Sequence, residues 1–430
     1  MTKKEIEEIY QKYLESGIIS TDTRQIKPGS IFFALKGNTF NANEFAYQAL
    51  EKGARFAIVD EDKYAKNKNC ILVDNVLEAL QKLARHHRDH LRIPVIGLTG
   101  SNGKTTSKEL LNVVLQKKYK VFATKGNLNN HIGVPLTILA IDKSIEVAVV
   151  EMGANHVGEI ASLCTIANPT HGFITNIGKA HIGTFGGFDN IIRAKSELYE
   201  HLIANDGQVF INSQNEILAP LAKRFKNPLL YPAPGDYYHL ELLNADPYLK
   251  IRTEDGNEIQ TSLFGSYNFE NIASALCIGK YFNVPNELAN EAVAQYVPDN
   301  MRSQIIKKDT NTIILDAYNA NPSSMQAAID NLAAMHADKK VVILGDMFEL
   351  EEETEKEHHR IVELVKKKNF SAIYLCGSHF NSVKEKIPHA KYFEKKEALI
   401  EALKKEPVLN AMILVKASRG IGLERVLEFL

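Results

Sequence analysis

The stretch Ile96-Gly97-Leu98-Thr99-Gly100-Ser101-Asn102-Gly103-Lys104-Thr105-Thr106 decides the fold. It lies between an apolar run that begins at Ile93 and a segment of helical periodicity, so it reads as strand, Gly-rich turn and helix in direct succession. Gly100 and Gly103 let the backbone curl until its N–H groups face one point. Lys104 supplies a positive charge, the Thr105 hydroxyl can reach a magnesium ion, and the helix N-terminus adds its dipole. These are the properties of a phosphate-binding turn. The strict pattern G-x-x-x-x-G-K-S/T fails, because Leu98 occupies the first glycine position. A bare G-K-S/T arises by chance in about one chain in five of this length, whereas T-G-x-N-G-K-T, with six specified residues, arises in roughly one in ten thousand.

Downstream of this turn the same alternation continues. Further strands are expected at Val147–Val150, Gly172–Thr175 and Val209–Ile211; uninterrupted apolar strands separated by helices predict a parallel sheet covered on both faces. Upstream, Ser30–Leu35 and Phe56–Val59 are short β-like runs followed by a helical, His- and Arg-rich segment that ends near Leu91. After Val297-Pro298-Asp299-Asn300 the alternation restarts, with strands expected at Thr312–Leu315, Val341–Leu344, Ala372–Leu375 and Met412–Val415. The fold class is therefore α/β in three domains. A small N-terminal α/β domain (1–90) precedes a central phosphate-loop parallel sheet (91–299) and a second, smaller, Rossmann-like parallel sheet (300–430). The length of 430 residues agrees, at roughly 150 residues per domain.

Composition narrows the function. Lys and Arg total 51 against 52 Asp and Glu, so no bulk field marks the chain as a nucleic-acid or polybasic membrane binder, and an anionic ligand must be held by local groups. Cys70, Cys164, Cys277 and Cys376 lie too far apart for a C-x2-C zinc site and are too few to brace a secreted chain of this size. They read as reduced structural thiols. The N-terminus interleaves charges with apolar residues and lacks a signal-peptide core, and no apolar run is long enough to span a bilayer. A cytoplasmic protein without membrane insertion is expected.

Two residues beyond the loop draw attention by position, and a third does not. Glu151 follows the strand Val147–Val150 directly, where a carboxylate can meet a magnesium ion, a hard cation that prefers oxygen ligands. His181 follows the next strand within Thr175-Asn176-Ile177-Gly178-Lys179-Ala180-His181, at the same carboxyl edge. Lys195, by spacing alone, is an ordinary helix-surface lysine. The bland readings of the first two are a strand-capping glutamate and a structural histidine.

These segments together resemble the ATP-dependent Mur ligases of peptidoglycan synthesis, three-domain enzymes that form amide bonds. The likeness runs nearly end to end: T-G-S-N-G-K-T-T at 99–106, E-M-G-A at 151–154, T-N-I-G-x-A-H at 175–181, A-K-S-E-L at 194–198, N-F-E-N-I-x-x-A at 268–275 and K-x-S-R-G at 416–420. D-T-R at 22–24, K-P-G-S-I-F-F-A-L at 27–35, G-N-L-N-N-H-I-G-V-P at 126–135, D-A-Y-N-A-N-P-S-S-M at 316–325 and L-G-D-M-x-E-L at 344–350 resemble the members that add D-alanyl-D-alanine to a UDP-N-acetylmuramoyl-tripeptide. The D-N-P-R-type motif of the diaminopimelate-adding members is absent.

The resemblance implies an ATP-dependent ligase that works through an acyl phosphate, as a monomer with small-molecule substrates and no nucleic acid. Its product would serve cell-wall biogenesis and, through it, cell shape, cell division and the cell cycle. It also implies residue roles. Thr99, Gly100, Ser101, Asn102, Gly103, Lys104, Thr105 and Thr106 would bind ATP, with Asn268 near the adenine, Arg302 at the phosphates and Asp316 at the ribose. Thr105, Glu151, His181 and a carbamylated Lys195 would serve two magnesium ions, and Lys104, Glu151, His181 and Lys195 would carry the chemistry. Thr23 and Arg24 would contact the UDP-sugar, Asn127, Asn129 and Asn130 the tripeptide, and Asn319, Asn321 and Arg419 the dipeptide. Tyr267 stands where the motif usually carries histidine, Ala317 where a polar residue or cysteine is commoner, and Ala417 where glycine is usual. The open alternatives are another Mur-family or folylpolyglutamate synthase-like ligase, a nucleotide-binding scaffold without chemistry, and a phosphate-loop kinase or GTPase. The last lacks a recognisable N-K-x-D base motif.

Overall fold

A computed structural model of the protein describes residues 1–299, 301–384, 387 and 389–430. The expected boundary at Asp299-Asn300 thus falls partly on Asn300, which lies outside the described residues. The first helix, Lys3–Ser16, starts where its sequence says it should: the Thr2 side chain accepts from the Glu5 N–H while Glu5 reaches back to the Thr2 N–H, and Gly17 closes the helix at φ +64°. The helix packs beside Val76–His90 over a parallel sheet of Ile19–Ser20, Ile31–Phe33, Phe56–Val59 and Cys70–Leu72.

The central sheet carries six parallel strands, in the order Leu229–Tyr231, Gln208–Asn212, His171–Ile174, Val95–Thr99, Val147–Glu151 and Val121–Ala123. Every residue of Val95–Thr99 and Val147–Glu151 is buried. Alternate side chains explain why. Val147 and Val149 pack with Leu110, Leu111 and Ile272 from helices Lys104–Gln116 and Asn268–Tyr281, while Ala148 and Val150 face the core that holds Ile160, Leu198 and Leu202. The chain winds both ways from Val95–Thr99, so the switch point of the topology falls at the phosphate loop. An antiparallel sheet of Leu240–Asn244, Tyr248–Thr253 and Glu258–Phe264, which the sequence reading did not foresee, packs against helix Asn286–Gln295.

The third sheet also has six strands, so it is not smaller than the central one. Its order is Gln304–Lys308, Asn311–Asp316, Met412–Lys416, Lys340–Gly345, Ala372–Cys376 and Ala390–Phe393. The expected all-parallel pairing is corrected at one edge, where Gln304–Lys308 runs antiparallel to Asn311–Asp316. Only two residues separate these strands, too few for the crossover that parallel pairing demands. All four cysteines are free and buried. Among the described residues no helix is long and apolar enough to cross a membrane.

Candidate active site

The carboxyl edges of the central and third sheets face one cleft of about 620 Å³. The phosphate loop forms one wall, and its shape is set by two glycines. Gly100 adopts φ +148° and Gly103 φ +76°, and a Cβ would collide with Thr175 Oγ1 at the first and with Asn271 Oδ1 at the second. The loop is pinned from behind. Ser101 N–H donates to the Asn176 carbonyl (2.9 Å), Asn102 N–H to Asn176 Oδ1 (3.0 Å), and Ser101 Oγ to the Gly178 carbonyl (2.9 Å). The first N–H groups of helix Lys104–Gln116 have no partner within the helix and are left for an anion.

Lys104 Nζ donates to the Gly100 carbonyl at 2.6 Å. Burial lowers its pKa, Glu151 opposes that shift, and the nearby Arg302 adds to it. Arg302 stacks on the Tyr318 ring at 3.7 Å, and its buried Nε has no partner. Of the lining cations Lys416 is paired with Asp316, whereas Lys104 and Arg302 form no ion pair among the described residues, which leaves two positive charges available to a polyanion.

Glu151 is 2% exposed and its hydrogen-bond partners are neutral: Asn129 Nδ2 at 2.8 Å and Thr105 Oγ1 at 3.2 Å. A buried carboxylate beside a hydroxyl, with no side-chain cation bonded to it, fits a hard oxygen-seeking ion that completes its shell from phosphates and water. Among the described residues no three His, Cys, Asp or Glu side chains converge on one point, so these residues alone do not cage a metal. His181 lines the cleft at φ +55°, with Nδ1 2.6 Å from Glu349 Oε2 and the ring turned out of line for a full hydrogen bond. Lys195 is buried behind the wall rather than in it: Nζ lies 3.2 Å from the Ala154 carbonyl and 5.2 Å from the centre of the Phe185 ring. Burial pushes its pKa down to about 7, with Lys104 adding to the shift.

The third sheet contributes Asp316, whose Oδ2 accepts from the buried Lys416 and whose Oδ1 accepts from the Ser303 N–H (3.3 Å). Asn321 caps helix Pro322–Ala334 through Oδ1 and reaches Asn102 Oδ1 with Nδ2 (2.7 Å), joining that sheet's first helix to the phosphate loop. Asn319 lines the cleft; Arg419 stands outside it, its guanidinium 5.1 Å from the centre of the Tyr318 ring, which it shares with Arg302. Asn127, Asn129 and Asn130 line the cleft opposite, although Asn130 Oδ1 is engaged with the N–H groups of Ile132 and Gly133. The Asn268 amide is satisfied internally, by the Phe264 carbonyl and Asn271 Nδ2. Thr106 lines the cleft, whereas Thr99 lies under the loop, with its carbonyl bonded to the Thr175 N–H. Thr23 and Arg24 are not brought to the cleft; Arg24 pairs with Asp22 at 2.7 Å on the N-terminal sheet's surface. The sequence reading quoted motifs containing Tyr318, Glu349 and Lys416 but gave these residues no role, because nothing local distinguishes them until two sheets meet.

Fold and cleft define an α/β enzyme that handles a phosphorylated substrate between two sheets. Family models match along the chain: the Mur ligase family catalytic domain at 16–88, the Mur ligase middle domain at 98–279 and the Mur ligase glutamate ligase domain at 301–419. The UDP-N-acetylmuramoyl-tripeptide–D-alanyl-D-alanine ligase of Bacillus subtilis strain 168 is 35% identical over 427 residues, covering 95% of this chain and 92% of the relative. A crystal structure of MurF from Acinetobacter baumannii superposes with a TM-score of 0.86 at 31% identity, over 95% of this chain and 92% of that one. MurF ligase from Thermotoga maritima, solved in complex with ADP, gives 0.85 at 28% identity over 97% of both. The chain belongs to the Mur ligase family.

Proposed function

We propose that this protein is the ATP-dependent ligase that joins D-alanyl-D-alanine to UDP-N-acetylmuramoyl-tripeptide in peptidoglycan precursor synthesis, acting in the cytoplasm as a monomer. The names of full-length relatives support the substrates, and the ADP held by the Thermotoga maritima relative supports the nucleotide. The observation that carries the reading is the shared cleft: Lys104 and Glu151 from the central sheet and Arg302, with its unpaired Nε, from the approach to the third. Residues 1–90 would hold the UDP-sugar, 91–299 the ATP and 300–430 the incoming dipeptide.

A carboxylate does not acylate an amine in water, so it must first gain a leaving group. The tripeptide's terminal carboxylate oxygen attacks the γ-phosphorus of ATP, the bond to ADP breaks, and an acyl phosphate results. The dipeptide amine then attacks the acyl carbon, its proton is lost, and phosphate departs as the amide forms. Lys104, Arg302 and the helix N-terminus spread the charge that gathers as these anions meet. Thr105 and Glu151 would hold magnesium, with His181 beside it. Bound there, the ion would neutralise phosphate charge and align the oxygens. A Lys195 amine that is half neutral near pH 7 can add to carbon dioxide with loss of a proton, and the resulting carbamate would offer oxygens to a second ion. The folylpolyglutamate synthase-like alternative is disfavoured by the D-T-R segment at 22–24 and by D-A-Y-N-A-N-P at 316–322.

Phosphate release measured with ATP, the UDP-tripeptide and, in parallel, D-alanyl-D-alanine, lysine, diaminopimelate or D-glutamate tests this. Turnover is expected only with the dipeptide; dependence on another amine overturns the assignment. Lys104→Ala is expected to abolish release, and near-normal release by that variant removes Lys104 from its role.

A further inference from the structure

The seam between the central and third sheets contains a feature that the phosphate chemistry does not use. Lys179, two residues before His181, places Nζ 2.7 Å from Glu357 Oε1, and the Glu357 side chain is only 1% exposed. Arg360 touches the other carboxylate oxygen at 3.3 Å, and the Lys179 N–H donates to Ser323 Oγ at 2.8 Å. Two residues on from Lys179, His181 meets Glu349. Both are non-glycine residues in left-handed backbone, at φ +55° and +63°, and Glu351 beside them adopts φ +48°. Strained backbone of this kind persists only where surrounding contacts impose it, and its clustering at one seam points to a function there.

The loop that presents Glu349 is built to be rigid. Asp346 accepts from the N–H groups of His379 (3.0 Å) and Phe380 (2.9 Å), His358 Nε2 accepts from the Met347 N–H (3.1 Å), and Ser418 Oγ accepts from the Phe348 N–H (3.0 Å). The Glu349 carboxylate, 2.6 Å from His181 Nδ1 though out of line for a full hydrogen bond, favours a proton on that nitrogen and leaves Nε2 for the site. We propose that Glu349 is a positioning residue for His181, and that the ion pair of half-exposed Lys179 with buried Glu357 is the tether that carries Glu349 to it across the seam. His181 is then oriented only when the two sheets are docked. This rests on the reading of His181 as a group beside the magnesium that Thr105 and Glu151 would hold.

Steady-state turnover and solution scattering of the full chain test the two parts. Glu349→Ala is expected to lower kcat about 10- to 100-fold while the KM for ATP and for the amine stays within about threefold. Glu349→Gln, which keeps a side-chain oxygen facing Nδ1, should recover kcat to within about fivefold of the parent. A kcat within about twofold of the parent for Glu349→Ala, or a Gln variant as impaired as the Ala variant, overturns the positioning role. Lys179→Met should raise the KM for ATP and, with a non-hydrolysable ATP analogue, keep a larger radius of gyration than the parent. Equal compaction overturns the tether. A parent that turned over with a different amine would sink the substrate assignment alone, since the scattering comparison needs no amine and the kcat comparison runs with whichever amine supports turnover.

Discussion

Gly103 shows how much one residue decides. Its φ of +76° starts the helix that carries Lys104 and Thr105, and the space where a Cβ would stand is filled by Asn271 Oδ1. Asn271 in turn bonds Ser107 (2.9 Å) and Asn268 (2.7 Å), so a side chain at 103 would press on the contact between two helices as well as on the loop. Gly103→Ala should therefore cost about 1–3 kcal/mol of stability, read from urea unfolding, and weaken ATP binding together with it. A variant of parental stability would mean the loop relaxes without cost. Lys195 makes a second case. Burial holds its pKa to about 7, so the neutral amine that reacts with carbon dioxide predominates above pH 7 and is lost below it. A carbamate signal from 13C-labelled bicarbonate is expected at pH 8 and should fade by pH 6. No signal at pH 8, or one that also persists in Lys195→Arg, rules out modification at this residue.

At the scale of elements, burial explains which strands could be read in advance. Val147–Glu151 and Phe56–Val59 sit inside their sheets, so their apolar runs are unbroken or nearly so. Tyr248–Thr253 alternates buried and half-exposed residues, and the edge strand Gln304–Lys308 has no fully buried residue, so neither presents such a run. The start of strand His171–Ile174 gives a prediction. The imidazole of His171 lies 5.3 Å from the Tyr281 ring and 5.2 Å from the Phe282 ring, and burial pushes its pKa down to about 4. The unfolded chain binds the proton near its ordinary value and the folded chain does not. The stability this site contributes is thus complete above about pH 6.5 and is lost as pH falls toward 4, amounting to about 2–3 kcal/mol. Urea unfolding at pH 7 and pH 4.5 checks it: His171→Gln should flatten this part of the pH dependence, and an unchanged slope would assign it elsewhere.

For the whole molecule, the cleft exists because two sheets dock, with Asn321 on Asn102 and Lys179 on Glu357 joining them. A nucleotide that binds both sides should stabilise both, by about 2.7 kcal/mol at one hundred times its Kd. Hydrogen exchange with ATP analogue and magnesium is expected to slow in 100–107 and in 302–325 alike, and chelating the magnesium should reverse much of it. Protection confined to the first segment would detach Arg302 from the nucleotide. By itself the sequence determined the phosphate loop, the sheet-and-helix alternation on either side of it and the family, since local spacing and apolar periodicity depend only on neighbours along the chain. Tertiary structure decided what spacing cannot express: that burial lowers the Lys195 pKa to about 7, that Lys416 holds Asp316, and that Glu349 reaches His181 from a different sheet. Those facts arise from desolvation and from contacts between residues far apart in sequence, and both exist only once the sheets have met.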